Sequence, residues 1–558
     1  MYTDKKSVLQ LVSLVRAYGI SRVVLCPGSR NVPLVQAFSA CDAFRCYSIT
    51  DERSAGFFAL GLALRSQAPV VVCCTSGSAL LNLHPAVCEA FYRQVPLVVV
   101  SADRPAAWIG QMDGQTLPQP GVFGGLVKMS VNLPQVRTEE DGWYANRLVN
   151  EALLELDHHG CGPVHINVPL SEPLFNFSVK ELPPVRKIVR HDLSDGGSAL
   201  AYFLKESLPR FRRVMVVSGQ MTADEAAGVG AYFPVGRAAW LTELLGNLPA
   251  ASGALRGFDR VLYAEDEAGR ESLRPDLVVT LGGHIVSKRL KKFLRGTPSL
   301  VHWHVSPDGR PADLFCALGV VFESSPADFC RLLSQCDALH SEDYAALWRG
   351  KCAAGHCPDV PYSELYAVKR VLQDLPPYSV LHLANSSAVR LAELFPLPGG
   401  VEVQCNRGVN GIEGSVSAAA GYASDSDRLN FLLVGDLSFF YDMNILGSWH
   451  IGPNLRIVLL NNGGGAIFHA LPGLEMEGDT RRFVTASHET AAAGWAESQG
   501  FNYMRATDTF SLVAALDDLF DGQAAAPVLL EVFTDAEEDA AALRDYFHRV
   551  KDEWGQKG

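Results

Sequence analysis

The chain has 558 residues, of which 48% are apolar and 20% are charged, and its formal net charge at pH 7 is −13. This length is too great for one ordinary hydrophobic core and predicts two to four domains, with a composition typical of globular proteins in water. The negative charge argues against a nucleic-acid-binding surface, and no apolar run approaches the roughly 20 residues of a membrane-spanning helix.

Thirteen cysteines are scattered along the chain without CxxC spacing. Cys26, Cys73, Cys74 and Cys161 lie in or beside apolar runs, which favours buried thiols in a reducing compartment over a disulfide framework or a zinc site. Residues 1–6 lead into an amphipathic stretch and lack the apolar core of a signal peptide. We therefore expect a cytoplasmic protein.

Short apolar runs rich in β-branched residues recur between segments with helical spacing. They are apolar throughout rather than alternating, as is typical of strands buried on both faces of a parallel sheet. The intervening lengths suit crossover helices, so we predict an α/β protein with doubly wound parallel sheets. The predicted strands are residues 22–26, 69–74, 96–102, 164–168, 213–217, 276–281, 300–305, 379–384, 431–434, 456–460 and 527–533.

Two changes in composition predict domain boundaries. Residues 177–198 and residues 341–361 are rich in Pro and Gly, which is typical of linkers. They predict three domains of nearly equal size, and the first and third both look like parallel-sheet domains that carry functional loops. The predicted domains are residues 1–180, 190–340 and 355–558.

An acidic pair, Asp51 and Glu52, follows a strand-like apolar stretch at residues 47–50 and begins a segment with helical spacing. A helix N-terminus favours carboxylates, so one of the two could simply cap the helix. The alternative is a functional carboxylate at the C-terminal edge of a strand, and the sequence alone leaves both interpretations open.

Three further loops of the first domain place small polar or basic residues just after predicted strands. In the loop over residues 26–31, Ser29, Arg30 and the backbone N–H groups could bind an anion at a helix start, or the loop could be a bare turn. Ligands of open α/β sheets bind at this edge. The other two loops are residues 75–79 and residues 102–105, the latter followed by Gln115.

Similar loops follow strands in the middle and third domains. Lys288 and Arg289 come after the strand at 276–281, although a solvated basic face is the default interpretation of this segment. In the third domain, residues 406–415 contain three glycines that permit close backbone approach to a ligand or simply form a loop. Arginines at strand ends predict substrates with several carboxylates, because Arg pairs with carboxylate in bidentate geometry. The basic residues concerned are Arg30, Arg104, Lys288, Arg289, Arg390 and Arg407.

Two apolar runs near the C-terminal end stop at hard oxygen ligands, Asp436 and Asn462. They lie about one strand–helix–strand unit apart, so adjacent parallel strands would end side by side. Carboxylate, carboxamide and backbone carbonyl oxygens suit Mg²⁺, which completes its octahedron with water and phosphate oxygens. We predict a cation that holds a phosphorylated ligand at this edge.

The Asp436 and Asn462 pair resembles the metal–diphosphate motif of thiamine-diphosphate enzymes. Longer strings along the whole chain resemble one family of such enzymes, the 2-succinyl-5-enolpyruvyl-6-hydroxy-3-cyclohexene-1-carboxylate synthases of menaquinone biosynthesis. These strings are CPGSRN at 26–31, DERSAGFFALGLA at 51–63, TSGSALLNLHPAVCEA at 75–90, SADRP at 101–105, GPVHINVP at 162–169, SKRL at 287–290, NRGVNGIEG at 406–414 and GDLSFFYDMN at 435–444.

The resemblance implies three doubly wound domains of the thiamine-diphosphate-binding fold type. In chain order they are a pyrimidine-binding domain, a central domain and a diphosphate-binding domain. It implies that Asp436, Asn462 and the carbonyl of Gly464 hold Mg²⁺, with Mn²⁺ as the alternative ion. It also implies that Glu52 is catalytic, because it hydrogen-bonds the pyrimidine and promotes its imino tautomer across a dimer interface. The implied cofactor-binding residues are Glu52, Ser386, Ile412, Asp436, Asn462 and Gly464.

The implied activity is that of a transferase that decarboxylates 2-oxoglutarate and adds the resulting succinyl unit to isochorismate. A homodimer is the minimum assembly, and a homotetramer is equally compatible. The alternatives are another thiamine-diphosphate enzyme, such as an acetolactate synthase or a 2-oxo acid decarboxylase, and a catalytically silent binding protein on the same fold. The implied substrate-binding residues are Ser29, Arg30, Arg104, Gln115, Lys288, Arg289, Ser386, Arg390, Arg407 and an apolar wall of Ile467, Phe468 and Leu471.

The sequence departs from the family pattern at two positions. Gly114 stands where the family commonly has Asn before Gln115, and Ala466 stands where it often has Gln before Ile467. Both departures concern substrate contacts and leave the cofactor residues intact.

Overall fold

The computed structural model describes residues 1–188, 198–310, 312–354, 357–465 and 483–555. Within these ranges the chain forms three β-sheets with helices on both faces, and every strand pairing described is parallel. The predicted α/β class with three doubly wound sheets is therefore confirmed. All thirteen cysteines are free thiols.

The first sheet has six strands. They are β1 (Arg22–Leu25), β2 (Arg45–Ser48), β3 (Val70–Cys74), β4 (Leu97–Asp103), β5 (Met129–Asn132) and β6 (Val164–Pro169). They are arranged in the order β2-β1-β3-β4-β6-β5, and β3 and β4 are buried along their whole length. The accompanying helices are α1 (Lys6–Ala17), α2 (Val32–Ser39), α3 (Glu52–Ser66), α4 (Ser78–Asn82), α5 (His84–Tyr92) and α6 (Glu139–Leu154).

The middle sheet has five strands. They are β7 (Val214–Ser218), β8 (Ala239–Thr242), β9 (Leu277–Leu281), β10 (Val301–Ser306) and β11 (Leu318–Glu323). Their order is β11-β10-β9-β7-β8. The accompanying helices are α7 (Ser198–Ser207), α8 (Ala223–Tyr232), α9 (Phe258–Ala264), α10 (Glu267–Ser272), α11 (Lys288–Arg295), α12 (Pro326–Ser334) and α13 (Glu342–Ala354).

The third sheet repeats the topology of the first. Its strands are β12 (Val380–Leu383), β13 (Glu402–Cys405), β14 (Asn430–Gly435), β15 (Leu455–Asn461), β16 (Asn502–Ala506) and β17 (Val528–Phe533). Their order is β13-β12-β14-β15-β17-β16, the first sheet's order with each strand replaced by its counterpart. The accompanying helices are α14 (Glu364–Asp374), α15 (Ser387–Ala392), α16 (Ser415–Ala423), α17 (Asp436–Asp442), α18 (Ala493–Ser498), α19 (Thr509–Phe520) and α20 (Ala536–Gly555).

By spatial contact the chain forms two compact units. The first unit comprises Met1–Asp192, Gly408–Asp427 and Tyr441–Leu455. The second comprises Leu193–Arg407, Arg428–Phe440 and Arg456–Gly558. Each sheet lies within one of the three predicted domain ranges, and the domain boundaries themselves stay a prediction.

Glycines allow α3 and α16 to touch backbone to backbone within the first unit. A Cβ atom added to Gly61 would overlap the carbonyl oxygen of Ala418, and one added to Gly421 would overlap the carbonyl oxygen of Phe58. Only residues without a side chain permit this approach. The contact fixes the position of α3, whose first residue is the predicted site residue Glu52.

None of the helices in the described part of the chain combines the length and the apolar character that crossing a bilayer requires.

Candidate functional site

Four adjacent strands of the first sheet end at predicted functional loops. Glu52 follows β2, residues 26–31 follow β1, residues 75–79 follow β3 and Arg104 follows β4. Because these strands are parallel and adjacent, their C-terminal ends lie along one edge of the sheet. The fold thus gathers the predicted first-domain residues at the edge where ligands of such sheets bind.

The sequence left open whether the acidic pair caps a helix or forms a functional site, and the structure distinguishes Asp51 from Glu52. The Oδ1 atom of Asp51 accepts hydrogen bonds from the N–H groups of Arg53 (2.9 Å) and Ser54 (3.2 Å), so Asp51 caps α3. Glu52 is the first residue of the helix and is half-buried. Burial raises the pKa of Glu52, so this carboxyl is suited to share a proton with a ligand atom.

Arg30 is a buried guanidinium in the loop after β1. Its Nη1 atom donates to the carbonyl oxygen of Leu170 at 3.1 Å and lies 3.1 Å from Oε1 of Glu172. Burial, followed by the neighbouring positive charge of Arg104, lowers the pKa of Arg30. The two predicted arginines therefore share one neighbourhood, beside an exposed Ser29.

Arg104 holds the loop that contains Gln115. Its Nε atom donates to the carbonyl oxygen of Gly114 at 2.9 Å, and its Nη1 atom lies 2.8 Å from Oδ2 of Asp113. A Cβ atom added to Gly77 would lie 3.0 Å from the Gln115 backbone, so the loop after β3 touches the same segment. The contact with Gly114 uses a backbone carbonyl and therefore tolerates the departure from the family residue at this position.

The third sheet presents its predicted residues in the same way. Arg407 follows β13, Ser386 follows β12, Asp436 follows β14 and Asn462 follows β15. These are the counterparts of the four strands used in the first sheet. Ser386 has φ +72°, a positive value that is costly for a residue with a side chain and is typical of functional sites.

Asp436 contacts the loop that follows β15. Its Oδ1 atom accepts from the N–H of Leu437 at 2.6 Å, and its Oδ2 atom accepts from the N–H of Gly464 at 2.9 Å. The Nε2 atom of His488 lies 3.3 Å from the same Oδ2, an electrostatic contact without hydrogen-bond geometry. Burial raises the pKa of Asp436, while these N–H groups and His488 oppose that shift.

Asn462 carries a buried oxygen that no group in the described structure satisfies. Its Nδ2 atom donates to Oδ2 of Asp539 at 3.3 Å, which leaves Oδ1 without a hydrogen-bond partner. The neighbouring Asn461, in contrast, donates to Thr490 and Glu531 and is fully used in the fold. An unsatisfied buried oxygen costs free energy unless a ligand completes it.

Gly464 completes the predicted ligand set. Its φ of +149° is a value that glycine adopts readily and residues with a side chain rarely do. A Cβ atom at this position would also lie 2.7 Å from the carbonyl oxygen of Thr485. Among the described residues no group of three or more His, Cys, Asp or Glu side chains is placed to hold a metal ion. A cation at this edge would therefore depend on one carboxylate, one carboxamide and a backbone oxygen, and the free Asn462 oxygen fits that donor set.

Asn385 links the predicted basic residues that follow β12 and β13. Its Oδ1 atom accepts from Nη1 of Arg407 at 2.9 Å, and its Nδ2 atom donates to the carbonyl oxygen of Asn406 at 2.6 Å. Burial and the nearby Arg407 lower the pKa of Arg390. Ser386, Arg390 and Arg407 thus belong to one cluster in the second unit.

Lys288 and Arg289, which follow a strand of the middle sheet, line a cavity of the second unit together with Arg390. A cavity of about 700 Å³ is lined by Lys288 and Arg289 at the start of α11 and by Arg390 on α15. The guanidinium of Arg289 lies 4.1 Å from the ring centre of Phe547 and pairs with Asp259. Three of the six basic residues that the sequence singled out therefore line one cavity, and their binding of substrate carboxylates stays a prediction.

Ile412 belongs to the loop between β13 and α16, in the first unit. Glu89 fixes this loop, because its two carboxylate oxygens accept from the N–H groups of Gly408 (2.9 Å) and Val409 (3.0 Å). Ile412 itself is 38% exposed. Ile467, Phe468 and Leu471 lie outside the described residues.

Sequence reasoning did not single out three ionisable groups near these loops, of which Lys291 and His284 are half-buried and Glu364 is buried. Lys291 on α11 faces Glu243 and Arg407, and burial lowers its pKa. Burial, with help from Arg407, lowers the pKa of His284 to about 4, so this imidazole is neutral at pH 7. Glu364 is buried near Asp436 and Asp539. Single residues of this kind carry no motif, and only their three-dimensional neighbours reveal them.

Comparison with known proteins matches residues 8–122 to a family described as "Thiamine pyrophosphate enzyme, N-terminal TPP binding domain". Over the whole length, the chain is similar to proteins named 2-succinyl-5-enolpyruvyl-6-hydroxy-3-cyclohexene-1-carboxylate synthase. The Bacteroides fragilis relative is 54% identical over 557 residues, which cover 99% of this chain and 100% of the relative. The Bacteroides thetaiotaomicron relative is 52% identical, with 99% and 100% covered, and the Flavobacterium johnsoniae relative is 36% identical, with 97% and 98% covered.

Proposed function

Because this chain belongs to the family of 2-succinyl-5-enolpyruvyl-6-hydroxy-3-cyclohexene-1-carboxylate synthases, we propose that it decarboxylates 2-oxoglutarate and joins the remaining succinyl unit to isochorismate. It is a thiamine-diphosphate-dependent transferase of menaquinone biosynthesis. The observation that carries this proposal is the 54% identity that extends through 99% of the chain. Thiamine diphosphate, when bound, supplies the electron sink on which decarboxylation of a 2-oxo acid depends.

Asp436, Asn462 and the carbonyl oxygen of Gly464 would hold Mg²⁺, or Mn²⁺ in its place, against the diphosphate. The buried and unsatisfied Oδ1 of Asn462 supports this role, since a cation would supply its missing partner. Asp539 keeps the amide nitrogen of Asn462 engaged and so leaves that oxygen available.

Glu52 would hydrogen-bond the pyrimidine ring of the cofactor and hold the proton that passes between carboxyl and ring nitrogen. Its raised pKa supports this role, because a carboxyl that binds a proton more tightly can donate as well as accept. Asp51 caps α3, so Glu52 is not needed as the helix cap. Ser386 and Ile412 are proposed as further cofactor contacts.

The positively charged side chains would orient the carboxylates of the two acidic substrates. Bidentate geometry makes Arg suited to this task, and the second unit directs Lys288, Arg289 and Arg390 into one cavity. Ser29, Arg30, Arg104, Gln115, Ser386 and Arg407 would complete the set. Ile467, Phe468 and Leu471 are proposed as an apolar wall that excludes water, which would otherwise protonate the reactive carbon.

We further propose a cytoplasmic homodimer, alone or paired into a tetramer, in which Glu52 of one subunit serves a cofactor bound by Asp436 and Asn462 of the other. The resemblance of the chain to enzymes that share their cofactor between subunits supports this arrangement.

Product analysis tests the proposed activity. Purified protein with thiamine diphosphate, Mg²⁺ and 2-oxoglutarate should consume isochorismate and form an adduct that contains both carbon skeletons, identified by mass spectrometry. Omission of isochorismate should reduce the release of carbon dioxide to a small fraction. Rapid decarboxylation without isochorismate would contradict the proposal and favour a simple 2-oxo acid decarboxylase, and turnover of pyruvate alone would favour an acetolactate synthase.

A further inference from the structure

Glu243 is a buried carboxyl group that follows β8 and accepts hydrogen bonds from the backbone just before Lys288 and Arg289. Its Oε2 atom accepts from the N–H of Val286 and its Oε1 atom from the N–H of Ser287, both at 2.6 Å. Burial raises the pKa of Glu243 to about 7, and these two N–H groups oppose that shift. The two hydrogen bonds fix the backbone immediately before the two basic side chains.

Asp259 on α9 holds the same segment by its side chains. One carboxylate oxygen accepts from the hydroxyl of Ser287, and the other pairs with Nη1 of Arg289. Oγ of Ser287 in turn accepts from the N–H of Leu290 at 3.0 Å and caps α11. The orientation of Arg289 therefore depends on two acidic residues, Glu243 and Asp259, that are distant from it in the sequence.

Glu393 connects Glu243 to the segment that carries Arg390. It caps the C-terminal end of α15, and its two oxygens accept from the N–H of Leu244 at 3.0 and 2.9 Å. Leu244 is the residue after Glu243, so the chain of contacts runs from α15 through Glu393 and Glu243 to the start of α11. Both glutamates line the cavity that Lys288, Arg289 and Arg390 also line.

We propose that Glu243 and Glu393 are positioning residues that hold the Lys288–Arg289 and Ser386–Arg390 segments in register across this cavity. Both carboxyl groups already accept hydrogen bonds from backbone N–H groups, and a positioning role requires no contact with a substrate. Burial raises the pKa of both groups, while Lys291 beside Glu243 and Arg256 beside Glu393 oppose that shift. The inference rests on the proposed function, in which Arg289 and Arg390 bind substrate carboxylates.

Steady-state kinetics of Glu243→Gln and Arg289→Ala, alone and combined, test the proposal on the full-length holoenzyme. Glu243→Gln should raise the KM of at least one of the two acids about 10-fold or more, since the amide has one acceptor oxygen and leaves the N–H of Val286 or Ser287 without a partner. The affinity for thiamine diphosphate should stay within about twofold of wild type. In the double variant the two effects on KM should be strongly non-additive, because both act through the same guanidinium.

The same cycle with Glu393→Gln and Arg390→Ala tests the other half of the contact chain. Glu225→Gln is a matched control, because Glu225 also accepts from a backbone N–H at a helix start (Thr222, 2.8 Å) but is exposed and does not line the cavity. Should Glu243→Gln not fold, Asp259→Asn replaces it, since Asp259 is partly exposed and acts on the same segment.

The outcomes separate this inference from the proposed function. If Arg289→Ala and Arg390→Ala raise KM but the glutamate variants leave it within twofold of wild type, or act additively, the positioning role is wrong and the proposed function stands. If the two arginine variants leave both KM values unchanged, their assignment as substrate-binding residues is refuted, and the inference falls with it. Non-additive KM effects at unchanged melting temperature support the inference.

Discussion

Adjacent residues of the same chemical type have different roles at the proposed site. Asp51 is engaged by two backbone N–H groups of α3, whereas the neighbouring Glu52 is half-buried with a raised pKa. Asn461 is engaged by Thr490 and Glu531, whereas Asn462 keeps an unsatisfied oxygen. In each pair, one residue (Asp51 or Asn461) makes hydrogen bonds within the fold, and the other (Glu52 or Asn462) is available to a ligand.

Substitution of Glu52 by Gln should abolish turnover while it preserves cofactor binding. The amide cannot exchange a proton with the pyrimidine ring, so kcat should fall by about 100-fold or more, as for loss of general acid–base catalysis. Titration of thiamine diphosphate followed by tryptophan fluorescence, together with the rate of isochorismate consumption, measures both effects. Asp51→Asn is the control, expected to lower stability more than kcat. Near-wild-type turnover of Glu52→Gln would refute the catalytic assignment.

Asn462→Ala and Asn461→Ala should have opposite consequences. Asn462→Ala removes an oxygen without a protein partner and one long hydrogen bond to Asp539 (3.3 Å), whose Oδ2 keeps its bond from Thr534. Stability should therefore fall by less than for Asn461→Ala, while Mg²⁺-dependent affinity for thiamine diphosphate falls about 10-fold or more. Loss of Asn461 removes buried hydrogen bonds to a carbonyl and a carboxylate and should cost about 2 kcal/mol of unfolding free energy. Calorimetric titration at several Mg²⁺ concentrations and chemical denaturation distinguish the two. Equal cofactor affinities for wild type and Asn462→Ala would contradict the metal assignment.

The residues that the sequence indicated are those that follow strands in recognisable strings, such as Asp436 and Arg104. The buried carboxylates that organise them were not predicted. Glu393 accepts from the N–H of Leu244, 149 positions away, and Glu243 accepts from the N–H of Val286, 43 positions away, and nothing in the local sequence indicates either contact. Carboxyl groups buried in this way are recognised only from the folded contacts that satisfy them.

At the scale of elements, all eleven strands predicted from continuous apolar runs are present. The six strands of the described structure that those runs did not include are β2, β5, β8, β11, β13 and β16, and every one of them is at the edge of its sheet. An edge strand pairs on one side only and is covered less completely, so its sequence need not be apolar throughout. The half-exposed pattern of β11 illustrates the point.

The contact between α3 and α16 gives a prediction at this scale. Gly61→Ala should lower the unfolding free energy by about 3 kcal/mol or more, because its Cβ atom would overlap the Ala418 carbonyl oxygen and force two backbones apart. Gly230→Ala on α8 is the matched control, since its Cβ atom would meet nothing nearer than 3.9 Å and should stabilise the helix slightly. Chemical denaturation measures both, and equal stability of the two variants would contradict direct backbone packing.

At the scale of the whole molecule, the first and third sheets share one strand order and carry their predicted functional loops at the same four strand ends. Glu52 follows the edge strand of one sheet, and Asp436 and Asn462 follow two inner strands of the other. The two sheets therefore carry these residues at corresponding strand ends. In the proposed function both sets would bind one ligand, thiamine diphosphate with its cation, and the unsatisfied Asn462 oxygen supports that assignment.

Complementation between two inactive variants tests most directly whether Glu52 and the Asp436–Asn462 pair form one site shared by two subunits. Glu52→Gln and Asp436→Ala homodimers should both be inactive, whereas a hybrid dimer places both substitutions in one site and leaves the other site intact. A randomly mixed, co-produced population should then recover about a quarter of wild-type activity, since half the dimers are hybrids with one working site. An inactive purified hybrid that still binds thiamine diphosphate would contradict the account.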